Sequence, residues 1–198
     1  MSYTNGTFAA LVDAIVPETP ALEARGDCHV PGGLSVGLEA VVIERVNGFQ
    51  ETDGVLDALG YETSPLATVV AGLLDAAAVE LLARRRAEDG LQRPQASFSR
   101  GPFSRLSRED RLRALRLLED AGAVPALAAR LDSEALGTVR YLISSLPILV
   151  EFVYYSELTA AEDEPRSLGW EQAGYPGPAD GYPVVLGYEL DAFEEDDY

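Results

Sequence analysis

The sequence contains no lysine, and all 15 of its basic residues are arginine. It holds one cysteine (Cys28), one histidine (His29) and one tryptophan (Trp170). A lone cysteine cannot close an internal disulfide, and one cysteine with one histidine cannot complete a tetrahedral metal site, so no structural zinc is expected. Without lysine the P-loop is excluded, and without Cys-x-x-Cys-His so is covalent haem. Positive charge is scarce altogether. Against 15 arginines stand 33 acids, a net charge of −18, which repels phosphate backbones and anionic lipid and disfavours nucleic-acid and membrane-surface roles. A lysine-free acidic surface suits a salt-loving cell, although high-GC codon usage would also favour arginine and alanine.

What is present is apolar. Hydrophobic residues make up 47 % of 198 positions, enough to bury a core as one domain. We expect residues 1–188 to form that domain and the acidic stretch 189–198 to fray. The organising stretch runs from Ser133 to Tyr188. Its first half, Leu136 to Tyr155, reads as a helix needing cover on nearly every face. Leu136, Val139, Ile143, Leu146, Val150, Val153 and Tyr154 recur at helical spacing, and Leu142, Ile148, Leu149 and Phe152 fill most of the other side. Pro147 predicts a kink or two abutting helices. Arg140 and Glu151 interrupt the run, which falls short of the ~20 clean residues of a membrane span. The second half, with Gly169, Gly174, Pro176, Gly177, Pro178, Gly181 and Pro183, reads as non-helical, yet it carries Trp170, Tyr175, Tyr182 and Tyr188. Aromatics of that size gain stability only against an apolar surface, on this chain or on another.

The remaining segments predict an irregular all-α bundle. Phe8, Leu11, Val12 and Ile15 mark a helix over Thr7 to Val16, stopped by Pro17. Leu38, Val41, Val42 and Val46 mark another over Ser35 to Phe49, with Gly48 as its stop. Ser64-Pro65 opens the longest element, striped with Leu66, Val69, Val70, Leu73, Leu74, Ala77, Leu81 and Leu82 and running to about Glu88. Ser107-Arg-Glu-Asp110 resembles a capping box, Ala123 to Leu131 is a short helix, and Ser133 caps the apolar helix. Thr52 to Gly60 adds a turn or two.

Candidate chemistry is sparse. Cys28 and His29 beside Asp27 have the residue types of a nucleophile and base, but neighbours in sequence seldom point at one another. Gly32, Gly33 and Gly37 precede a helix without the dinucleotide-binding spacing and are better explained by turns. Arg25-Gly26-Asp27 matches an adhesion tripeptide by chance. Arg100, Arg105, Arg108, Arg111, Arg113 and Arg116 are either a docking face for an acidic partner or a phosphate, or a solvated surface balanced by Glu109, Asp110 and Glu119, and we favour the latter. Glu151 is either a buried general base or an acid held by a structural partner or facing a solvent gap, the second being favoured.

Three motifs occur in a telling order. Phe8-Ala-Ala-Leu-Val-Asp-Ala-Ile-Val-Pro17, then Phe103-Ser-Arg-Leu-Ser-Arg-Glu-Asp-Arg followed by leucines, then Gly169-Trp170 with Gly174-Tyr-Pro-Gly-Pro178 and Gly181-Tyr182 resemble the small subunit, subunit 3, of gluconate 2-dehydrogenase-type complexes. The resemblance implies a non-catalytic accessory subunit that carries no cofactor. It would assemble with a large FAD-dependent glucose-methanol-choline (GMC) oxidoreductase acting on sugars or other alcohols. It further implies that Trp170, Tyr175, Pro176, Pro178 and Tyr182 help make the subunit interface or the packing behind it. Members of that family often bear a twin-arginine signal; the N-terminus here has none, so the expectation is a soluble, cytoplasmic chain as encoded, with export beside a partner left open. Two alternatives stand beside this reading: a stand-alone helical enzyme using Glu151 or His29, and a self-associating helical protein whose tail swaps between copies.

Overall fold

The computed structural model describes residues 2–48, 65–89, 101–120, 124–131, 133–160 and 166–175. Among these there are helices and turns and no strand. Helix α1 spans Tyr3–Ile15, α2 Leu38–Asn47, α3 Leu66–Asp89, α4 Arg108–Glu119, α5 Pro125–Ala128, α6 Ser133–Tyr154 and α7 Leu168–Ala173. Short 3-10 turns at Pro20–Arg25, Asp27–His29 and Gly33–Val36 fill the link between α1 and α2. The all-α class expected from periodicity is observed.

Local signals account for most of the boundaries. The Ser2 hydroxyl accepts a hydrogen bond from the Asn5 amide, so α1 begins a turn before its apolar stripe does. Gly37, at φ +65°, turns the chain into α2, and the Gly48 amide closes α2 onto its last carbonyls. The Ser107 hydroxyl caps α4 by accepting from the Asp110 amide. Ser133, expected as a cap, is the first residue of α6. The segment Thr52 to Gly60 lies outside the described residues.

One core joins these elements. Phe8, Leu11 and Val12 of α1, Leu38, Val42 and Val46 of α2, Val70 and Leu74 of α3, Leu118 of α4 and Ile143, Leu146 and Val150 of α6 are all essentially inaccessible. Helix α1 lies at the centre, touching α2, α3, α4 and α6, while α3 packs on α4 and α6 packs on α4 and α2. Asp75 ties three elements of this arrangement together. It accepts from the Tyr3 hydroxyl at 2.6 Å and from the Phe103 amide at 2.9 Å, fixing α1 and the turn before α4 to α3.

Two expectations about the C-terminal third need correcting. Residues Leu168–Ala173 are helical, because Ser167 supplies an N-cap hydroxyl to the Trp170 amide and Gly174, at φ +67°, supplies the left-handed stop. The non-helical expectation for the rest of the tail falls outside the described residues. Helix α6 is a single element containing Pro147, which drops the two-helix alternative and leaves the kink; the expectation of cover on nearly every face is the one that fails, since among the described residues only one side is buried. Tyr141, Ile148, Phe152 and Tyr155 are 74 %, 69 %, 65 % and 50 % exposed.

Candidate functional site

The aromatic residues that the sequence singles out meet at the C-terminal end of α6. Helix α7 approaches the α6 backbone so closely that a Cβ on Gly169 would lie 2.3 Å from the Tyr154 carbonyl oxygen. Only glycine permits that contact, and the contact places Trp170 beside α6. The indole Nε1 donates to the Tyr155 carbonyl at 2.6 Å. Tyr175 folds back, its amide donating to the Trp170 carbonyl at 2.9 Å, and its ring meets the indole edge-on at 4.9 Å and 77°. Such a geometry suits the opposed charge of ring face and ring edge. Tyr155 in turn meets Tyr154 edge-on at 5.2 Å.

Below this corner lies a polar relay. The buried Tyr154 hydroxyl donates to Gln172 Oε1 at 2.9 Å, and Gln172 Nε2 donates to the carbonyls of Cys28 at 2.8 Å and Pro31 at 3.2 Å. One amide side chain thus binds α7 to α6 and to the loop after α1. Burial, and then the neighbouring Tyr155, push the Tyr154 phenol up to about 12, against the smaller opposing effect of its Gln172 bond. Tyr154 is therefore a neutral hydrogen-bond donor at any ordinary pH.

The candidate acid and base residues are not brought together. Glu151 is exposed on the outer face of α6, which counts against the buried general base and agrees with the favoured alternative of an acid facing solvent. His29 and Cys28 are half-buried in a 3-10 turn, where Cys28 serves through its backbone carbonyl. A cleft of about 470 Å³ beside α7 is lined by Ser35, Val36, Leu158, Thr159, Ala160, Leu168 and Glu171, and one of about 400 Å³ between α3 and α5 is apolar apart from Arg130. Neither is lined by Glu151 or His29; the hydroxyls of the first cleft donate to backbone carbonyls, Ser35 to Gly32 and Thr159 to Tyr154 and Ser156, and not to the Glu171 carboxylate. No cluster of three or more metal-ligating side chains occurs among the described residues.

The arginine concentration is largely committed within the chain. Arg108 Nε donates to the Ala14 carbonyl at 2.9 Å, one of the last carbonyls of α1. Arg111 bonds to Asp13 at 2.6 Å and to the carbonyls of Ala10 and Ser104. Arg113 pairs with Glu109 and Asp110, and Arg85 reaches Asp110 from α3 with two nitrogens. Burial alone would raise the Asp110 pKa; the hydrogen bonds of Arg85 and Ser107, with the charges of Arg85 and Arg113, outweigh it and hold the carboxyl below its usual range. Arg105 and Arg116 are exposed, and Arg100 lies outside the described residues.

Of the residues expected at a partner interface, Trp170 and Tyr175 are described and adjoin, while Pro176, Pro178 and Tyr182 lie outside the described residues. Sequence reasoning missed Gln172, whose neighbours gave no sign of three carbonyl and hydroxyl partners, and it missed the open face of α6. Spacing could have shown that face, since Tyr141, Ile148 and Tyr155 recur at intervals of seven. No protein-family model, curated protein or solved structure matches the chain.

Proposed function

We propose that this chain is a non-catalytic accessory subunit that assembles with an FAD-dependent GMC-type dehydrogenase and supports its maturation, the oxidation of a sugar or alcohol belonging to that larger partner. The observation that carries the reading is the aromatic corner at the end of α6. Trp170 is held by Gly169 packing and a backbone hydrogen bond, Tyr175 is 42 % exposed, and Tyr155 beside them is half exposed. A rigid aromatic platform with one side open has the make-up of an interface centre, where aromatics lose little entropy on binding. The resemblance carried by the order of the motifs is what points to a flavoprotein partner, and the acidic lysine-free composition supports a salt-loving host.

Co-expression with the flavoprotein tests the reading directly. The expected outcome is one elution peak holding both chains and a flavin absorbance greater than that of the enzyme made alone. Trp170→Ala is expected to weaken the complex by about 2 kcal/mol or more, roughly thirtyfold. Separate elution of the two chains with an unchanged FAD content would sink the proposal.

A further inference from the structure

We infer that the outer face of α6 is a seam for a second copy of this chain, paired antiparallel to the first. The inference rests on the register of exposed residues along the helix and gives Tyr155 to the second copy, so that Trp170 and Tyr175 alone are left to the flavoprotein. Gly137, Tyr141, Ser144, Ile148, Glu151 and Tyr155 are all exposed. They recur at alternating steps of four and three, the spacing by which one helix presents a continuous seam to another. Large residues occupy one set of positions (Tyr141, Ile148, Tyr155) and small or polar residues the other (Gly137, Ser144, Glu151). A Cβ on Gly137 would meet nothing within 4 Å, so the depression there is open.

This alternation complements itself in one orientation. Antiparallel pairing sets each large position against a small or polar one: Tyr155 over Gly137 of the second copy, Ile148 over its Ser144, and Tyr141 over its Glu151. The last pair brings a phenol hydroxyl to a carboxylate, so the one acid in the seam gains a donor. Parallel pairing would instead set ring on ring, leave a gap between two Ser144 residues and bring Glu151 against its own copy, like charge on like charge. Between Tyr141 and Tyr155 the face carries Glu151 as its one charge on a molecule of net charge −18, so the seam itself adds little like-charge repulsion at short range. Their overall repulsion is long-range and is screened over ~10 Å at 0.1 M salt but ~3 Å at 1 M. Dimerisation is therefore strengthened by salt.

Sedimentation velocity of the full chain at about 0.1 M and about 1 M sodium chloride reads the association. The expected result is a monomer–dimer equilibrium displaced at least tenfold toward dimer by the added salt, and lost in Ile148→Arg with its helical circular dichroism unchanged. Should arginine disturb folding, Tyr141→Ser gives the same readout at a position that is 74 % exposed. Register is read by oxidising mixed Ser144→Cys and Ile148→Cys chains, each also carrying Cys28→Ser; disulfides between unlike chains are expected to dominate. A wild-type chain that is monomeric at both salts, a dimer that survives both seam variants, or cross-links mainly between like chains would each overturn the inference. So would a monomer that dimerises only once residues 176–198 are deleted, which would give the face to the chain's own terminus. Capture of the face by the flavoprotein alone would also overturn it.

Discussion

Helices α4 and α6 pack against each other, and their inner faces are alike: Leu115 and Leu118 on one, Ile143, Leu146 and Val150 on the other, all buried. Their outer faces are opposites. On α4 the outward side chains are mostly arginines and acids, several of them paired within the chain, as Arg113 is with Glu109 and Asp110 with Arg85, with Leu112 the one large apolar residue exposed. On α6 the outward side chains include Tyr141, Ile148, Phe152 and Tyr155, exposed alongside Arg140, Ser144 and Glu151. Scattered exposed hydrophobics are ordinary on a protein surface, but a row along one helix ending at an aromatic corner is not. A helix surface finished with charge is at home in water, whereas one finished with aromatics gains stability from any surface laid upon it.

The largest expected effect separates the two sides of α6. Leu146→Ala, at a fully buried position, is expected to cost ~2–5 kcal/mol in urea unfolding, whereas Ile148→Ala, one turn away on the open side, should stay within ~0.5 kcal/mol in the monomer. Equal costs would show that the outer face is covered within the chain and would erase the contrast. On α4 the corresponding test is Asp110→Ala, which leaves Arg85 without its two-pronged partner and is expected to cost ~1.5–3 kcal/mol. Because the folded carboxyl titrates below its unfolded value, its contribution is fully present above about pH 4 and is lost as pH falls through the folded pKa. The variant should accordingly show a flatter acid limb than the wild type.

The helices of this fold were legible because their stripes and caps are local. Leu38, Val42 and Val46, or Ser107 before Asp110, declare themselves within a few residues, and the buried positions of α1 to α3 follow that periodicity closely. Helix α6 was misjudged as covered all round because its sequence is apolar all round; periodicity reports which faces are apolar, not how many neighbours exist to cover them. The helical turn at Leu168–Ala173 was hidden by Gly169, which reads as a helix breaker but serves a close approach to α6 that only the tertiary structure reveals. For Glu151 the solvent-facing alternative agrees with its exposed position, and the buried-base alternative does not. Only part of the arginine cluster matches the expected balanced surface, Arg113 pairing with Glu109 and Asp110; Arg108 and Arg111 instead serve the end of α1 through contacts more than ninety residues distant, which no local pattern shows.

That close approach gives the next prediction. Gly169→Ala would drive a methyl group into the Tyr154 carbonyl at 2.3 Å, and backbone on both sides leaves no side chain to yield. A cost of ~1–3 kcal/mol is expected, with a shift of Trp170 fluorescence as the indole leaves the Tyr155 carbonyl. A cost without a fluorescence change would mean that α7 does not position the tryptophan, and the aromatic corner would lose its claim to rigidity.

Tyr154→Phe should have the smallest effect, and its sign can be worked out. Loss of the hydroxyl removes the bond to Gln172 at a cost of ~1 kcal/mol, leaving the ring packing in place. In the wild type the phenol holds its proton to about pH 12 when folded and to about 10 when unfolded. Between those values the folded state binds more protons than the unfolded state, so stability is full below pH 10 and falls as pH rises toward 12. The phenylalanine variant lacks this contribution. It should begin less stable at neutral pH and lose less on going to alkali, so the two stability curves converge above pH 10. Parallel curves would mean that the Tyr154 proton is not held by folding, and that the inner end of α6 is as open to water as its outer face.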